Sequence, residues 1–164
     1  MPNWCEGTLK IRGTKENILD FLNKECKILN FKGFLDLPDT QNIIAREQED
    51  EIEMFYPNNS KEIYLNNTRR NFIENYTGGY LNACKNNDNE KILVIEGFKA
   101  AWGIESEPYV EWSKKYNIDF NIHGYEHGMC FEQEIEIIKG KLLKNEEITY
   151  DDYVWECPFP NLGG

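Results

Sequence analysis

Basic side chains are scarce in this sequence relative to acidic ones. Lysine and arginine number 18 against 29 aspartates and glutamates, so the formal net charge is −11 at pH 7. Residues 101–164 carry thirteen acids against five lysines, and residues 46–60 carry five acids against Arg46 alone. Proteins that bind nucleic acids contact the phosphates through clustered lysine and arginine. The composition therefore argues against nucleic acid and anionic membranes as partners.

Long apolar runs and paired cysteines are also missing. No run approaches the ~18 apolar residues that a membrane-spanning helix needs. The opening MPNWCEGTLKIRG lacks the basic and apolar segments of a secretory signal. The five cysteines form no C-x-x-C pair. We therefore expect a cytoplasmic protein whose thiols are free and mostly buried, because the reducing cytosol disfavours disulfides.

Nucleotide-binding loops and recognisable catalytic motifs are absent as well. Neither G-x-x-x-x-G-K-S/T nor G-x-G-x-x-G occurs, so no phosphate-binding loop is indicated. A nucleophilic cysteine–histidine pair would require Cys5 or Cys130 to meet a histidine in space. The alternative is that both cysteines act as small buried hydrophobes. We predict no catalytic residue and no cofactor.

Only two histidines are present, and they lie close together in the sequence. His123, His127 and Cys130 form the pattern H-x3-H-x2-C. Zinc binds imidazole and thiolate, so these three residues are metal-ligand candidates, with Glu126, Glu132 or another cysteine as the fourth ligand. The alternative is a pair of strand residues flanking a turn beside a buried cysteine. The spacing matches no established zinc pattern, and we therefore predict no metal site.

What the sequence does contain is typical of one folded domain spanning residues 1–164. Apolar residues make up 40% and aromatic residues 13% of the chain, and a length near 150 residues is usual for one domain. Leu9 and Ile11 alternate with polar residues in a first strand, residues 3–12. Thr14 is a suitable N-cap for a helix that follows. The further predicted elements are strands at 28–37, 91–99, 119–125 and 129–138 and a helix at 106–116.

Two strand–helix–strand units separated by an insertion predict the fold class. We expect an α+β, ferredoxin-like split βαβ sandwich with extra antiparallel strands near the C-terminus. The approximate insertion is 40–88, within which residues 40–53 are predicted to be a polar helix or an acidic loop and residues 57–60 a turn. The aromatic tail, residues 148–160, is expected to pack back on the domain.

Several short blocks of the sequence resemble the YubB-like proteins carried by phages and plasmids. The blocks are Met1-Pro2-Asn3-Trp4-Cys5, Phe98-Lys99-Ala100-Ala101-Trp102, Ser113-Lys114-Lys115-Tyr116 and Tyr125-Glu126-His127-Gly128-Met129-Cys130-Phe131. The family-motif positions are Asn3, Trp4, Cys5, Trp102, Glu126, Gly128 and Phe131. The resemblance implies a ferredoxin-like domain that originates in a mobile genetic element, and it implies no established activity.

An acidic strand is the most distinctive predicted surface. Glu132, Glu134 and Glu136 alternate with apolar residues, so their side chains share one strand face. With these three, the predicted partner-binding acidic patch comprises Glu146, Glu147, Asp151 and Asp152. The alternative is a solubilising surface, because charged side chains also protect strand edges from pairing. We expect most of the four tryptophans to lie in the core and an exposed one to anchor a protein partner.

These observations favour a non-enzymatic, acidic binding protein of a mobile genetic element. In its concrete form the hypothesis is an inhibitor of a host nuclease or defence complex, anti-CRISPR-like or anti-restriction-like, whose acidic patch occupies a basic groove. One alternative is a ferredoxin-like domain that binds nucleic acid on an aromatic sheet face, which the charge disfavours. The other is a small metal-dependent enzyme around His123, His127 and Cys130.

Overall fold

The computed structural model of the chain, which describes residues 3–30, 39–56 and 62–164, has an α+β architecture dominated by one antiparallel sheet. Its first strands are β1 (Trp4–Gly13), β2 (Cys26–Asn30), β3 (Asp39–Asn42), β4 (Ile44–Gln48), β5 (Glu51–Phe55) and β6 (Glu62–Leu65). These are followed by β7 (Asn71–Glu74), β8 (Gly78–Ala83), β9 (Lys91–Ala101), β10 (Asp119–Glu126), β11 (Phe131–Ile138) and β12 (Lys141–Thr149). The helices are α1 (Lys15–Glu25), α2 (Glu107–Tyr116) and α3 (Tyr153–Glu156).

The main sheet has the strand order β12-β11-β10-β1-β9-β7-β6-β2-β3, and every neighbouring pair is antiparallel. The long strand β9 divides its second edge between two partners. Residues 98–100 pair with β7, whereas residues 91–93 pair with β8. Strand β8 in turn pairs with β5, and β5 pairs with β4. The sheet therefore forks along β9.

Helices α1 and α2 pack on one face of the sheet and form the core with it. Phe21 of α1 lies at the centre, with its ring 5.3 Å from that of Trp112 in α2 and 5.4 Å from that of Phe120 in β10. Alternate strand residues complete the core, among them Leu9, Ile11, Ile122, Ile135 and Ile137, all fully buried. The intervening residues of the same strands point to the other face. We call that second face the open face.

The central strand β1 is paired along both edges. Its residues 4–13 pair with β9 and residues 6–12 with β10, and a bulge interrupts the β9 register between Gly7 and Thr8. A Cβ atom on Gly7 would overlap the carbonyl oxygen of His123 on the neighbouring strand. Glycine at this position therefore permits the close approach of β1 to β10.

The middle of the chain differs from the sequence prediction. Residues 40–53, predicted to be a polar helix or an acidic loop, lie in strands β3, β4 and β5. The reason is tertiary: the Asn23 side chain of α1 accepts a hydrogen bond from the Ala45 amide at 2.8 Å and donates one to its carbonyl at 3.1 Å. Ala45 and Ile52 are buried, and the polar residues between them form the hairpin end.

Other predicted boundaries agree more closely. The first strand, the helix that Thr14 caps, and strands β9, β10 and β11 are confirmed, as is α2. Ser106 precedes α2 but makes no side-chain capping hydrogen bond. The strand predicted at 28–37 corresponds to β2 only as far as residue 30, and residues 31–38 and 57–61 lie outside the described residues. Strand β12 extends to Thr149, so the segment predicted to begin the tail belongs partly to the sheet.

One buried carboxylate joins both helices to the inserted strands. Glu25, at the end of α1, accepts hydrogen bonds from Lys115 at 2.8 Å, from Tyr116 and from Asn66 at 3.2 Å. Burial on its own would raise the pKa of Glu25, but the hydrogen bonds together outweigh it and the net pKa is lowered. Glu25 is therefore ionised in the folded protein and holds three elements together.

Replacing Gly7 with alanine tests the close approach of β1 to β10. The new methyl group would overlap backbone rather than a flexible side chain, so we expect Gly7→Ala to lower the free energy of unfolding by about 1–3 kcal/mol, as overpacking does. Urea denaturation measures the change. Lys10→Ala, at an exposed position of the same strand, is the control, and an equal effect of both variants would contradict the argument.

The pH dependence of stability tests the role of Glu25. Because its pKa is lowered in the folded protein, its contribution is present above the unfolded-state pKa and is lost as pH falls through the folded-state pKa. We expect Glu25→Gln to cost about 1–3 kcal/mol at neutral pH, and the difference from the wild type to shrink in acid. Chemical denaturation over a pH series measures it.

The matched control for that series is Glu111→Gln, which removes an exposed carboxylate from α2. We expect it to leave the free energy of unfolding unchanged within about 0.5 kcal/mol. A constant difference between the wild type and Glu25→Gln across the acid range would show that the carboxylate charge is not what stabilises the fold.

Candidate functional site

The acidic residues of β11 lie side by side on the open face. Glu132, Glu134 and Glu136 alternate with buried residues along the strand, so they share one face as predicted. Across the sheet, Glu146 of β12 stands opposite Glu134. We call these four residues the acidic face. Glu146 is exposed and Glu134 and Glu136 are partly exposed, whereas the side chain of Glu132 is only 14% exposed.

A single lysine lies within this row. The Nζ atom of Lys144 is 2.8 Å from a carboxylate oxygen of Glu134 and 3.2 Å from one of Glu146. These hydrogen-bonded ion pairs raise the pKa of Lys144, so it stays protonated. One positive charge among four carboxylates leaves the acidic face strongly negative.

The other predicted members of the acidic patch lie elsewhere. Glu147 stands opposite the buried Gln133 and therefore points away from the open face. Asp151 and Asp152 are exposed and directly follow β12. Asp152 caps α3 by accepting a hydrogen bond from the Trp155 amide, and Glu156 accepts bonds from the amides of both aspartates. The continuous patch predicted from sequence is thus divided between the sheet face and the tail.

The predicted metal-ligand candidates are held by separate contacts. The His123 ring stacks on that of Tyr125, with 4.8 Å between the ring centroids. The ring of His127, which is exposed, packs against that of Tyr153 with 5.0 Å between the centroids. The Cys130 thiol donates a hydrogen bond to the His127 carbonyl at 3.4 Å. Among residues 3–30, 39–56 and 62–164, no three His, Cys, Asp or Glu side chains are grouped so that they could hold a metal ion.

The cysteines are free thiols, and four of the five are buried. Burial raises the pKa of Cys5 to about 12, and the negative charge of Glu126 adds to the effect. A thiol with a raised pKa stays protonated at neutral pH and is a poor nucleophile. Cys5 therefore has the character of a core residue and not of a catalytic one.

The family-motif positions gather at one end of the sheet, where β1 begins, β9 ends and β10 turns into β11. The Asn3 carbonyl accepts a hydrogen bond from the Trp102 amide at 2.9 Å. The fully buried Glu126 accepts bonds from the amides of Gly128 at 2.8 Å and Met129 at 2.5 Å. A Cβ on Gly128 would overlap the Asn3 side chain. Cys5 and Phe131 are buried beside them. These contacts organise the turn, and they account for a side-chain acceptor at position 126 and a glycine at position 128.

The structure also forms a cluster that the sequence does not indicate. The Arg69 guanidinium lies 5.0 Å from the Trp102 ring, and the Arg70 guanidinium lies 5.8 Å from Trp102 and 5.7 Å from Trp4. Lys99 lies 4.5 Å from the Trp4 ring. We call these five residues the aromatic–cation cluster. The members are separated by up to about a hundred positions, and no sequence pattern links them.

Most of the positive charge in this cluster is already paired. Lys99 is 8% exposed and forms ion pairs with Glu74 and, at 2.8 Å, with Glu62. Arg69 lies 3.6 Å from Glu105. Arg70 and Trp102 both have positive φ angles, near 61° and 63°, a conformation that bulky residues seldom adopt. The aromatic–cation cluster therefore lies at the end of the sheet that carries the family-motif positions, and its positive charge is partly neutralised by glutamates.

The tryptophans are less buried than predicted. Trp112 is 3% exposed and belongs to the core, and Trp4 is half-buried in the aromatic–cation cluster. Trp102 is 49% exposed and Trp155 is 87% exposed. The expectation that most tryptophans pack in the core is therefore wrong, because Trp112 alone among the four belongs to it. In the tail, Tyr153 does pack back on the domain, next to Tyr125 and Cys157.

The helices and the likeness of this chain to known proteins bear on its setting. No helix among the described residues has both the length and the apolar character needed to cross a membrane. Neither the family models, nor the curated proteins, nor the solved structures contain a match to this chain.

Proposed function

We propose that this chain is a non-enzymatic binding protein that docks its acidic face onto a basic surface of a protein partner. The observation that carries the proposal is the row of carboxylates on two paired strands, of which those of Glu134, Glu136 and Glu146 are accessible to solvent. Same-face residues on one strand are separated by about 6.8 Å, so the row meets a groove as an ordered array. Such an array accelerates association and selects partners of opposite charge.

The class of partner follows from what basic grooves usually bind. A groove lined with lysine and arginine is the normal binding site for a nucleic acid backbone. We propose that the partner is a host nuclease or defence complex and that this chain inhibits it in the cytoplasm, in the manner of an anti-CRISPR or anti-restriction protein. The net charge of −11 supports a partner of opposite charge. The resemblance to YubB-like proteins of phages and plasmids supports an origin in a mobile element.

We also propose that the domain is an elaborated ferredoxin-like sandwich. In a split βαβ fold the fourth, first and third strands are neighbours, and β10, β1 and β9 have this order. Helices α1 and α2 follow the first and third of these strands and pack on the same face. The elaboration is the insertion of β6 and β7 between β9 and β2, together with β11 and β12 at the opposite side.

A second candidate function is nucleic acid binding, favoured by the aromatic–cation cluster alone. Exposed aromatic rings beside arginines are used to stack unpaired bases. Here Trp102 is half-exposed next to Arg69 and Arg70. The paired state of Lys99 and Arg69 leaves little free positive charge, and this makes the acidic face the better-supported site.

Charge reversal of the acidic face tests the first function. We expect Glu134→Lys, Glu136→Lys and Glu146→Lys combined to abolish capture of the partner from host lysate, because like charges would then face each other. Capture by the wild type should weaken as salt is raised. Glu132 is left unchanged since its side chain is only 14% exposed.

The matched control combines Glu16→Lys, Glu107→Lys and Glu111→Lys, which replace three exposed acidic residues on α1 and α2. It changes the net charge by the same amount as the acidic-face variant. It should capture the same partner as the wild type. If both triple variants lost the partner, net charge alone would explain binding, and if neither lost it, the acidic face would not be the docking surface.

For the second function, a labelled single-stranded oligonucleotide should bind the wild type with an affinity that falls as salt rises. Trp102→Ala should weaken this binding by about tenfold, the loss expected for one stacked base. Trp155→Ala, which removes an equally large exposed ring from the tail, should have no effect. Fluorescence anisotropy measures both, and an unaffected Trp102→Ala variant would eliminate the cluster as the site.

A further inference from the structure

A cavity of about 320 Å³ opens on the open face beside the acidic face. Its floor is formed by Gly7 and Gly97, and its wall by His123 and Tyr125 of β10. In the sheet, Tyr125 stands opposite Glu132 and His123 opposite Glu134. The cavity, which we call the tail cavity, is therefore continuous with the acidic face.

The tail of the chain forms the roof of this cavity. Phe159 and Leu162 line it, and hydrogen bonds hold the tail in place. The Gly163 amide donates to the Glu6 carboxylate at 3.1 Å, and Gly164 exchanges two backbone hydrogen bonds with Trp4, each 3.1 Å long. The roof is thus attached to β1, and the cavity is preformed.

Three rings follow one another along the cavity. The His123 ring is stacked on Tyr125, and the Tyr125 ring lies 5.2 Å from that of Phe159 at an angle of 60°. Phe159 remains 54% exposed, so much of its ring is not used in packing against the domain. Stacked aromatic rings next to apolar walls bind flat or cationic groups.

The cavity lining contains one acidic side chain beside the polar side chains of Thr8 and His123. Glu96 contributes to its lining. Glu132 lies outside the lining, and its buried Oε2 atom is 3.7 Å from the buried Nε2 atom of His123. Burial raises the pKa of Tyr125 to about 12, and the charge of Glu132 adds to it, as expected in a negative environment. The carboxylate of Glu96 in the lining and the negative charge of Glu132 nearby therefore favour a cation in the cavity.

We propose that the tail cavity receives an arginine side chain of the partner, an inference that rests on the proposed docking of the acidic face. A guanidinium stacks on aromatic rings, donates to carboxylates and is weakly hydrated. Its alkyl stem suits the apolar walls. Glu96 supplies the acceptor, while Phe159 and Tyr125 supply the rings. The cavity is then the anchor at the centre of the interface, and the acidic face surrounds it.

The experiment uses N-butylguanidinium as the probe and the neutral, equally shaped N-butylurea as its control. Both are titrated into the full chain and followed by two-dimensional amide NMR at neutral pH. We expect saturable shifts at Gly97, His123 and Tyr125 with the guanidinium, and binding of the urea that is weaker by about tenfold, as loss of the cation requires. Equal binding of both compounds, or no saturable shift, would overturn the proposal.

Variants locate the bound probe. Phe159→Ala and Glu96→Gln should each weaken guanidinium binding several-fold, because the first removes a ring and the second a negative charge. Trp155→Ala in the same tail and Glu111→Gln on α2 are the matched controls and should bind as the wild type does. If Phe159→Ala loosened the tail, Glu96→Gln, on a strand, would still report on the site. Unchanged binding in both cavity variants would contradict the assignment.

Failure of the two proposals can be told apart. Guanidinium binding that depends on Glu96 and Phe159, together with partner capture that survives charge reversal of the acidic face, would retain the cavity as an arginine site and reject the docking surface. Loss of capture upon charge reversal without guanidinium binding would retain the docking surface and reject the arginine site.

Discussion

The double pairing of β1 is the constraint on which the rest of the structure depends. β1 is hydrogen-bonded to β9 on one edge and to β10 on the other, so the alternation of its side chains decides which face of all three strands meets the helices. Leu9 and Ile11 point into the core, and their neighbours point to the open face. The bare backbone of Gly7 permits the close contact with His123. A register slip of one residue would exchange the two faces.

From this strand outward, the open face is divided by charge. The carboxylates of β11 and β12 lie on one side, with Lys144 the one lysine within the row of the acidic face. On the other side Lys99 and Arg69 are paired with glutamates around the tryptophans. Between them lies the tail cavity, which adjoins the carboxylates. The free carboxylates of the open face are thus concentrated on one side of it.

Much of the framework is predictable because local patterns decide it. The alternation in β1, β10 and β11 and the apolar stripe of α1 arise from residues that are close in sequence, and the structure has these elements near their predicted bounds. The hairpin of β4 and β5 is not predictable in this way, since its burial depends on Asn23 of α1 binding Ala45. Likewise, Glu147 stands opposite the buried Gln133 and therefore lies away from the acidic face. This pairing depends on the register of β12 with β11, which the position of an acidic residue in the sequence does not reveal.

The sequence by itself determined the excess of acidic residues and the absence of a recognisable catalytic motif, because both can be read from composition and short motifs. It also determined the α+β class and the common face of Glu132, Glu134 and Glu136. These follow from the periodicity of apolar residues, which is two in strands and about four in helices. Only the tertiary structure decided which residues are neighbours across strands. Arg69 and Arg70 meet Trp102, and Phe159 lines one cavity together with Gly7 and Gly97, through contacts between distant segments. Such contacts arise from strand order and register, which are set by the packing of the whole sheet.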